Sequence, residues 1–179
     1  TVIQEIVATI HGRKLISATI GDLVMEPELL VRSIEHLETS GVDIIKLGFF
    51  GTVNHRQCIK ALQPFAAMGL RLVAVLFADQ KPDFSLLPEL GKAGFCGVML
   101  DTANKDGDSL LDYLPPDDLL AFVKLARSYR LQSGLAGSLR LEHVPTLAAL
   151  SPSYLGFRGA MCANLQRNSP ISSARIMEI

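Results

Sequence analysis

Two sequence patterns alternate along the whole chain, and this alternation limits the possible folds more than any other feature. Short runs rich in Val, Ile and Leu are each followed by a longer stretch with apolar residues at helical spacing. Such a chain builds βαβ units, in which helices connect the parallel strands of one sheet. The predicted strands are residues 14–21, 43–49, 71–78, 97–101, 132–137 and 154–158. The predicted helices between them are residues 27–39, 53–68, 85–93, 117–129 and 141–150.

The ends of the predicted strands favour a barrel over an open sheet. A doubly wound sheet gathers its chemistry at one switch point, whereas a barrel collects it from the carboxyl ends of many strands. Here nearly every strand ends in polar or glycine-rich residues, namely Asp22, Lys46, Asp79, Asp101, Gly137 with Ser138, and Arg158 with Gly159. We therefore predict an α/β protein of the parallel (β/α)8 TIM-barrel type, with an open doubly wound sheet as the alternative.

The first ten residues predict a helix that precedes the first strand. One face of this helix carries Val2, Ile3, Ile6, Val7 and Ile10. Six strands in 179 residues also fall short of the eight strands and roughly 250 residues of a typical closed barrel. We expect one barrel domain, residues 1–179, that lacks its first two βα units. An incomplete barrel leaves apolar edges, so we also expect a homo-oligomer.

The composition argues against several kinds of partner. Apolar residues make up 49% of the chain and charged residues 20%, with a net charge of −1. This balance provides no basic field for nucleic acid and no polybasic membrane anchor, and no apolar run is long enough for a membrane span. Cys58, Cys96 and Cys162 form neither a disulfide framework nor a zinc set, and the histidines lack metal-site spacing. We expect no metal, no nucleic acid, no membrane and a cytoplasmic location.

Lys46 is the most informative single residue. Alternation along its strand places it on the face opposite to Ile45, Leu47 and Phe49, which form the natural helix-facing surface. Lys46 should then point into the barrel mouth, where Gly48 leaves room for a close approach. Removal from water favours the neutral amine, which can abstract a proton or form an imine. The alternative is a structural lysine paired with a carboxylate, although such a buried lysine is costly to retain.

Carboxylates at other strand ends are further candidates. Asp101 ends its strand and Lys105 follows in the next loop, and such a pair can move protons around a carbonyl substrate. The alternative for this pair is loop capping by Asp101 and a solvated Lys105. Asp22 and Asp79 hold the same position on other strands, where capping of the next helix is an equally good explanation.

The last two strands end in segments that suit phosphate, residues 134–138 and 156–160. Glycines permit close backbone approach, successive amides can cradle an anion, and arginine offers a cationic fork. Barrel enzymes often bind phosphate after strands seven and eight, the positions these strands take if two units are absent. The predicted phosphate ligands are Gly137, Ser138, Arg158, Gly159 and Ala160. Tight turns are the alternative role of these glycines.

Together these motifs resemble those of the (5-formylfuran-3-yl)methyl phosphate synthases. The resemblance covers essentially the whole chain in order, through residues 17–22, 45–48, 78–79, 99–103, 105–107, 135–138 and 156–160 with Cys162. It implies a barrel lyase without metal or organic cofactor that condenses two glyceraldehyde 3-phosphate molecules into a phosphorylated furan aldehyde, with loss of one phosphate and water. The product would feed methanofuran or methylofuran synthesis.

The resemblance also implies roles for two lysines. One forms an imine with the first substrate and the other accepts a proton, and Lys46 matches the second. The first lies on a strand that this chain is not expected to contain, so it matches no residue here. Two alternatives remain: a class I aldolase that forms its imine on Lys46, and a non-catalytic phosphosugar-binding module that retains only the glycine-rich site.

Overall fold

The protein alternates strands and helices from end to end, as seen in a computed structural model that describes residues 1–104, 108–165 and 167–178. The strands are β1 Ser17–Thr19, β2 Ile44–Phe49, β3 Leu72–Phe77, β4 Gly97–Asp101, β5 Gln132–Leu135 and β6 Tyr154–Leu155. The helices are α1 Val2–Ile10, α2 Pro27–Glu38, α3 His55–Ala67, α4 Leu87–Lys92, α5 Leu110–Tyr113, α6 Pro116–Ser128, α7 Val144–Ala149 and α8 Ser173–Ile176. Every predicted strand and helix is confirmed; most are shorter than predicted, β4 has the predicted bounds, and α6 begins one residue earlier. Only the short helices α5 and α8 were not predicted.

The strands form one parallel sheet in the order β1-β2-β3-β4-β5-β6. A doubly wound sheet requires a reversal of strand order, so that alternative is wrong. Within the described residues, the sheet curls into a half-barrel in which β1 and β6 form its two edges. The prediction of a TIM-like α/β fold is confirmed to this extent. That two further βα units complete the barrel stays a prediction.

The two faces of the sheet bury different side chains. The outer face packs on the helices through a large apolar core that includes Ile45, Leu47 and Phe49. The inner face buries a smaller cluster formed by Val73, Val75, Phe77, Met99 and Ala136. The alternation predicted for β2 is therefore confirmed, since its apolar triplet lies on the helix side. Lys46 falls on the inner face, in register with Thr19 of β1 and Val73 of β3.

Two further features of the fold concern its cysteines and the character of its helices. Cys58, Cys96 and Cys162 are all free thiols. Over the part of the chain that the structure describes, none of the helices combines the length and the apolar character needed to cross a bilayer.

Candidate active site

A cavity of about 580 Å³ opens at the carboxyl ends of the strands on the inner face. Its volume lies within the usual range for small-molecule sites. Among its lining residues are seven of the predicted site residues: Lys46, Asp101, Gly137, Ser138, Arg158, Gly159 and Ala160. Asp22 and Asp79 do not line it, and Lys105 lies outside the described residues. Residues from β2, from the end of β4 and from the segments after β5 and β6 thus contribute to one cleft.

Lys46 reaches this cleft from the middle of β2 and is partly exposed. The sequence predicts open space for a ligand beside Gly48, but this space is filled. The ring of Phe50 contacts the position that a Cβ on Gly48 would occupy, and it stacks on Phe77 with ring centroids 4.4 Å apart. Gly48 therefore makes room for an aromatic side chain of the chain itself. Through this stack, Phe50 packs against the apolar cluster of the inner face and extends it beside β2.

The strand-end carboxylates have different partners. Asp101 lines the cavity, and its Oδ1 accepts a hydrogen bond from the amide of Thr102 at 2.8 Å. Asp79 accepts bonds from the amides of Ala103 and Asn104, both at 2.8 Å. Asp79 thus holds the segment that follows β4 rather than capping a helix after its own strand. Asp22 is exposed after β1 and takes no part in the cavity.

The turn after β5 requires glycine. Gly137 has a φ of +110°, and a Cβ there would lie 3.0 Å from the amide nitrogen of Thr102. Ser138 follows with a φ of +47°, so two consecutive residues occupy the left-handed region and turn the chain sharply at the cavity wall. The carbonyl of Gly137 also accepts a bond from the amide of Leu110, the first residue of α5, at 3.0 Å. Helix α5, which the sequence did not predict, therefore supports this turn.

The segment after β6 is fixed by internal hydrogen bonds. Cys162 is fully buried, and its Sγ donates to the carbonyl of Arg158 at 3.2 Å. The Nη2 of Arg158 donates to the carbonyl of Arg167 at 3.3 Å. These contacts hold the turn that contains Gly159 and Ala160 against the chain that returns after it. In the sequence, Cys162 belongs only to the family resemblance, which does not indicate this structural role.

The cavity is electropositive although the chain as a whole is slightly acidic. Its described lining contains four cationic side chains, Lys46, Arg140, Arg158 and Arg167, and one carboxylate, that of Asp101. A cleft with this balance attracts anions. Arg140 and Arg167 were missed in the sequence. Arg140 lies only two residues beyond Ser138, which is a usable signal, whereas Arg167 lies beyond any strand end and reaches the cleft only because the chain folds back.

At the amino end of the inner face, Arg71 interacts with the thiol of Cys96, which packs against the apolar cluster. The ring of Tyr154 fills the space over Gly134, within 2.5 Å of where a Cβ would lie. Burial raises the pKa of Tyr154 to about 12, and burial also raises the pKa of Cys96 nearby. No three His, Cys, Asp or Glu side chains group closely enough to hold a metal, as far as the described residues extend. Arg71, Cys96 and Tyr154 are not among the residues that line the cavity at the carboxyl end.

Fold and cleft together define the class: a TIM-like α/β protein with an anion-attracting cavity at the carboxyl ends of its strands. The sequence profile of the 4-HFC-P synthase family matches residues 1–179, and the chain belongs to that family.

Individual relatives agree with this assignment. The (5-formylfuran-3-yl)methyl phosphate synthase of Methanopyrus kandleri is 35% identical, over 93% of this chain and 75% of its own length. The synthase of the same name from Methanosarcina mazei is 33% identical, over 90% of this chain and 74% of its own. The resemblance seen in the motifs is thus confirmed.

A solved structure supports the fold alone. Phosphoribosyl anthranilate isomerase from Thermus thermophilus superimposes with a TM-score of 0.63 at 16% identity, covering 98% of this chain and 75% of that one.

Proposed function

We propose that this chain is a lyase that condenses two molecules of glyceraldehyde 3-phosphate into (5-formylfuran-3-yl)methyl phosphate, with release of phosphate and water. The names of its relatives support the product. The observation that carries the proposal is that the amine of Lys46 shares one cavity with both glycine-rich strand ends. An amine and a phosphate site in one cleft suit chemistry at the carbonyl of a small phosphosugar.

The strand ends after β5 and β6 bind the substrate phosphate in this proposal. Amides of the turns at Gly137–Ser138 and Gly159–Ala160 donate to its oxygens, the Ser138 hydroxyl adds a further donor, and Arg158 adds a charged fork. A phosphate held there fixes the sugar relative to Lys46. This positioning turns an encounter in solution into an intramolecular step.

Lys46 acts as the general base. Once the substrate carbonyl is an imine, the amine of Lys46 takes a proton from the adjacent carbon, and the resulting enamine attacks the second aldehyde. One amine cannot easily hold the imine and remove this proton, so two lysines with different roles suit the task. Asp101, which also lines the cavity, exchanges protons with the substrate hydroxyls. Lys105, in the sequence after β4, takes part in the same proton transfer in this proposal. The chemistry requires no metal or organic cofactor.

The experiment is turnover of glyceraldehyde 3-phosphate by the purified protein. Mass spectrometry and ultraviolet absorbance follow the furan aldehyde, and a colorimetric assay follows inorganic phosphate. The proposal expects both products in equal amounts. Substrate that binds without phosphate release or furan formation would reject catalysis and leave the phosphosugar-binding module.

A class I aldolase is the second candidate, because Lys46 is the one lysine among the described residues that line the cavity. In that case the imine forms on Lys46, and the product is an acyclic aldol that keeps both phosphates. Product mass separates the two candidates, since only the furan route releases phosphate.

The cellular setting follows from the same proposal. The product would enter methanofuran or methylofuran synthesis in the cytoplasm, a compartment that suits three free thiols. That the protein is a homo-oligomer stays a prediction, which sedimentation at several concentrations tests.

A further inference from the structure

The cavity contains more positive charge than one phosphate group needs. Of the four cations among its described lining residues, Arg158 and Lys46 have roles at the glycine-rich turns and at the reacting carbon in the proposed function. Arg140 and Arg167 have none. A phosphate monoester carries a charge of about −1.5 to −2 at pH 7. The amides of the two turns and the guanidinium group of Arg158 already bind and balance this charge in the proposed function. The two remaining guanidinium groups therefore indicate a second anionic group.

Arg140 is positioned by the loop that also contains the β5 turn. Leu139, between Ser138 and Arg140, is 3% exposed and anchors this loop in the outer core. The amide of Arg140 donates to Nδ1 of His143 at 3.2 Å, which fixes the backbone on the other side. Arg140 thus lines the cavity from an anchored segment rather than from a free loop.

The carboxylates near Arg140 leave it available for a ligand. Glu142 lies 3.9 Å away, at the outer limit of an ion pair, and the two side chains are 69% and 62% exposed. Such a surface pair contributes little. Asp112 also faces Arg140, but its lowered pKa comes mainly from its hydrogen bonds with Ser109, and Arg140 is the weakest of the contributing charges.

Arg167 comes to the same cavity from the chain that returns after β6. Its carbonyl accepts the hydrogen bond from Nη2 of Arg158, so the two residues are neighbours along the cavity rim. Since Arg167 follows the β6 turn and Arg140 follows the β5 turn, each strand end supplies one arginine in addition to its own phosphate-binding turn.

We propose that Arg140 and Arg167 bind a second phosphate, so that the cavity accepts two triose phosphates, or one six-carbon sugar chain with a phosphate at each end. This inference rests on the proposed function and adds to it the site of the second substrate. A guanidinium group binds phosphate through two parallel hydrogen bonds. This suits the exposed rim of the cavity, where the point charge of a lysine ammonium would bind phosphate more weakly. A cavity of about 580 Å³ has room for such a ligand.

Calorimetric titration with two unreactive ligands tests the proposal. Glycerol 3-phosphate presents one phosphate, and a hexitol 1,6-bisphosphate presents two. The wild-type protein should bind the bisphosphate about ten- to a hundredfold more tightly, the effect expected of a charged hydrogen-bond partner. Arg140→Ala and Arg167→Ala should each remove most of this advantage and change the affinity for glycerol 3-phosphate by less than about twofold. Arg32→Ala, at an exposed arginine of α2 away from the cavity, is the control and should change neither.

The outcomes separate this inference from the function on which it rests. Equal affinity of the wild type for the two ligands overturns the second site while the first one stands. An equal loss of both affinities in Arg140→Ala and Arg167→Ala also overturns it, because the arginines would then serve one common phosphate. If the wild type binds neither ligand, the second site and the proposed phosphosugar function fail together.

Discussion

The two faces of strand β2 differ sharply, since one belongs to the apolar core and the other lines the cavity. Leu47 on the outer face is completely buried in the core beneath the helices, whereas Lys46, its neighbour in sequence, is partly exposed to a cationic cavity on the inner face. Alternation in a strand is strict, so one residue along the chain separates the part that stabilises the sheet from the part that meets the ligand. Stability and function should therefore be separable by adjacent substitutions.

Lys46→Met should produce the largest functional effect on the inner face. General-base assistance typically contributes about a hundred- to ten-thousandfold in rate, so turnover of glyceraldehyde 3-phosphate should fall on that scale. The free energy of unfolding should change by less than about 1 kcal/mol, since Lys46 is not part of the apolar core. Steady-state kinetics and urea unfolding of the same preparation measure the two effects. A variant that retains a third of wild-type turnover would remove Lys46 from the mechanism.

Leu47→Ala should show the opposite pattern on the outer face. Removal of a fully buried leucine side chain costs about 2–5 kcal/mol through lost apolar burial and the cavity left behind. Turnover per folded molecule should stay close to wild type. Chemical denaturation gives the first quantity, and kinetics corrected for the folded fraction give the second. If Leu47→Ala instead abolished turnover in a fully folded protein, the two faces would not be separable.

Gly137→Ala should damage both stability and ligand binding, because Gly137 lines the cavity and also packs tightly against Thr102. A positive φ costs an alanine about 1–2 kcal/mol, and contact of the new Cβ with Thr102 should add about 1–3 kcal/mol. Gly69→Ala is the matched control, with a φ of +98° and nothing within 4 Å of the added Cβ. Unfolding should show the smaller cost in the control, and only Gly137→Ala should also weaken phosphate binding. Equal losses in the two variants would mean that the contact with Thr102 is unimportant.

Arg158→Ala should weaken binding of a phosphorylated ligand by about 1.5–3 kcal/mol, the contribution of a charged hydrogen-bond partner. Titration with inorganic phosphate measures this directly. Equal binding by the variant and the wild type would make Arg158 structural, through its bond to the carbonyl of Arg167, and move the anion site elsewhere.

Tyr154 should give the smallest effect, at the amino end of the inner face. Its pKa is raised by burial from its ordinary value of 10 to about 12. The folded state therefore favours the protonated phenol, a contribution that is complete below pH 10 and is lost as the pH rises through 12. Unfolding free energies at a series of pH values from 9 to 12 should fall more steeply for the wild type than for Tyr154→Phe. Parallel curves would mean that Tyr154 is solvated in the folded protein.

The sequence could predict those features that depend on local pattern. The six strands, the helices between them and the faces of β2 all follow from periodicity, which acts within a few residues. The strand-end residues could be expected to share one edge of the sheet because parallel strands all point the same way.

The features that were missed depend on contacts between distant segments. Alternation places Phe50 on the same face as Gly48, but only the stack on Phe77 turns its ring over Gly48 and fills that space. The bonds from Asp79 to Ala103 and Asn104 bridge two loops that are separate in sequence. Arg167 likewise gains its position only from the fold of the returning chain. Tertiary contacts of this kind leave no periodic signal.

The most direct test of Lys46 as the base is borohydride reduction in the presence of glyceraldehyde 3-phosphate, followed by peptide mapping. An imine lysine becomes permanently labelled under these conditions, whereas a general base does not. In a full-length protein that includes the imine lysine, we expect a label on a lysine other than Lys46, and we expect that label to persist in Lys46→Met. A label on Lys46 itself would contradict this account and favour the single-lysine aldolase, and the absence of any label would contradict imine chemistry altogether.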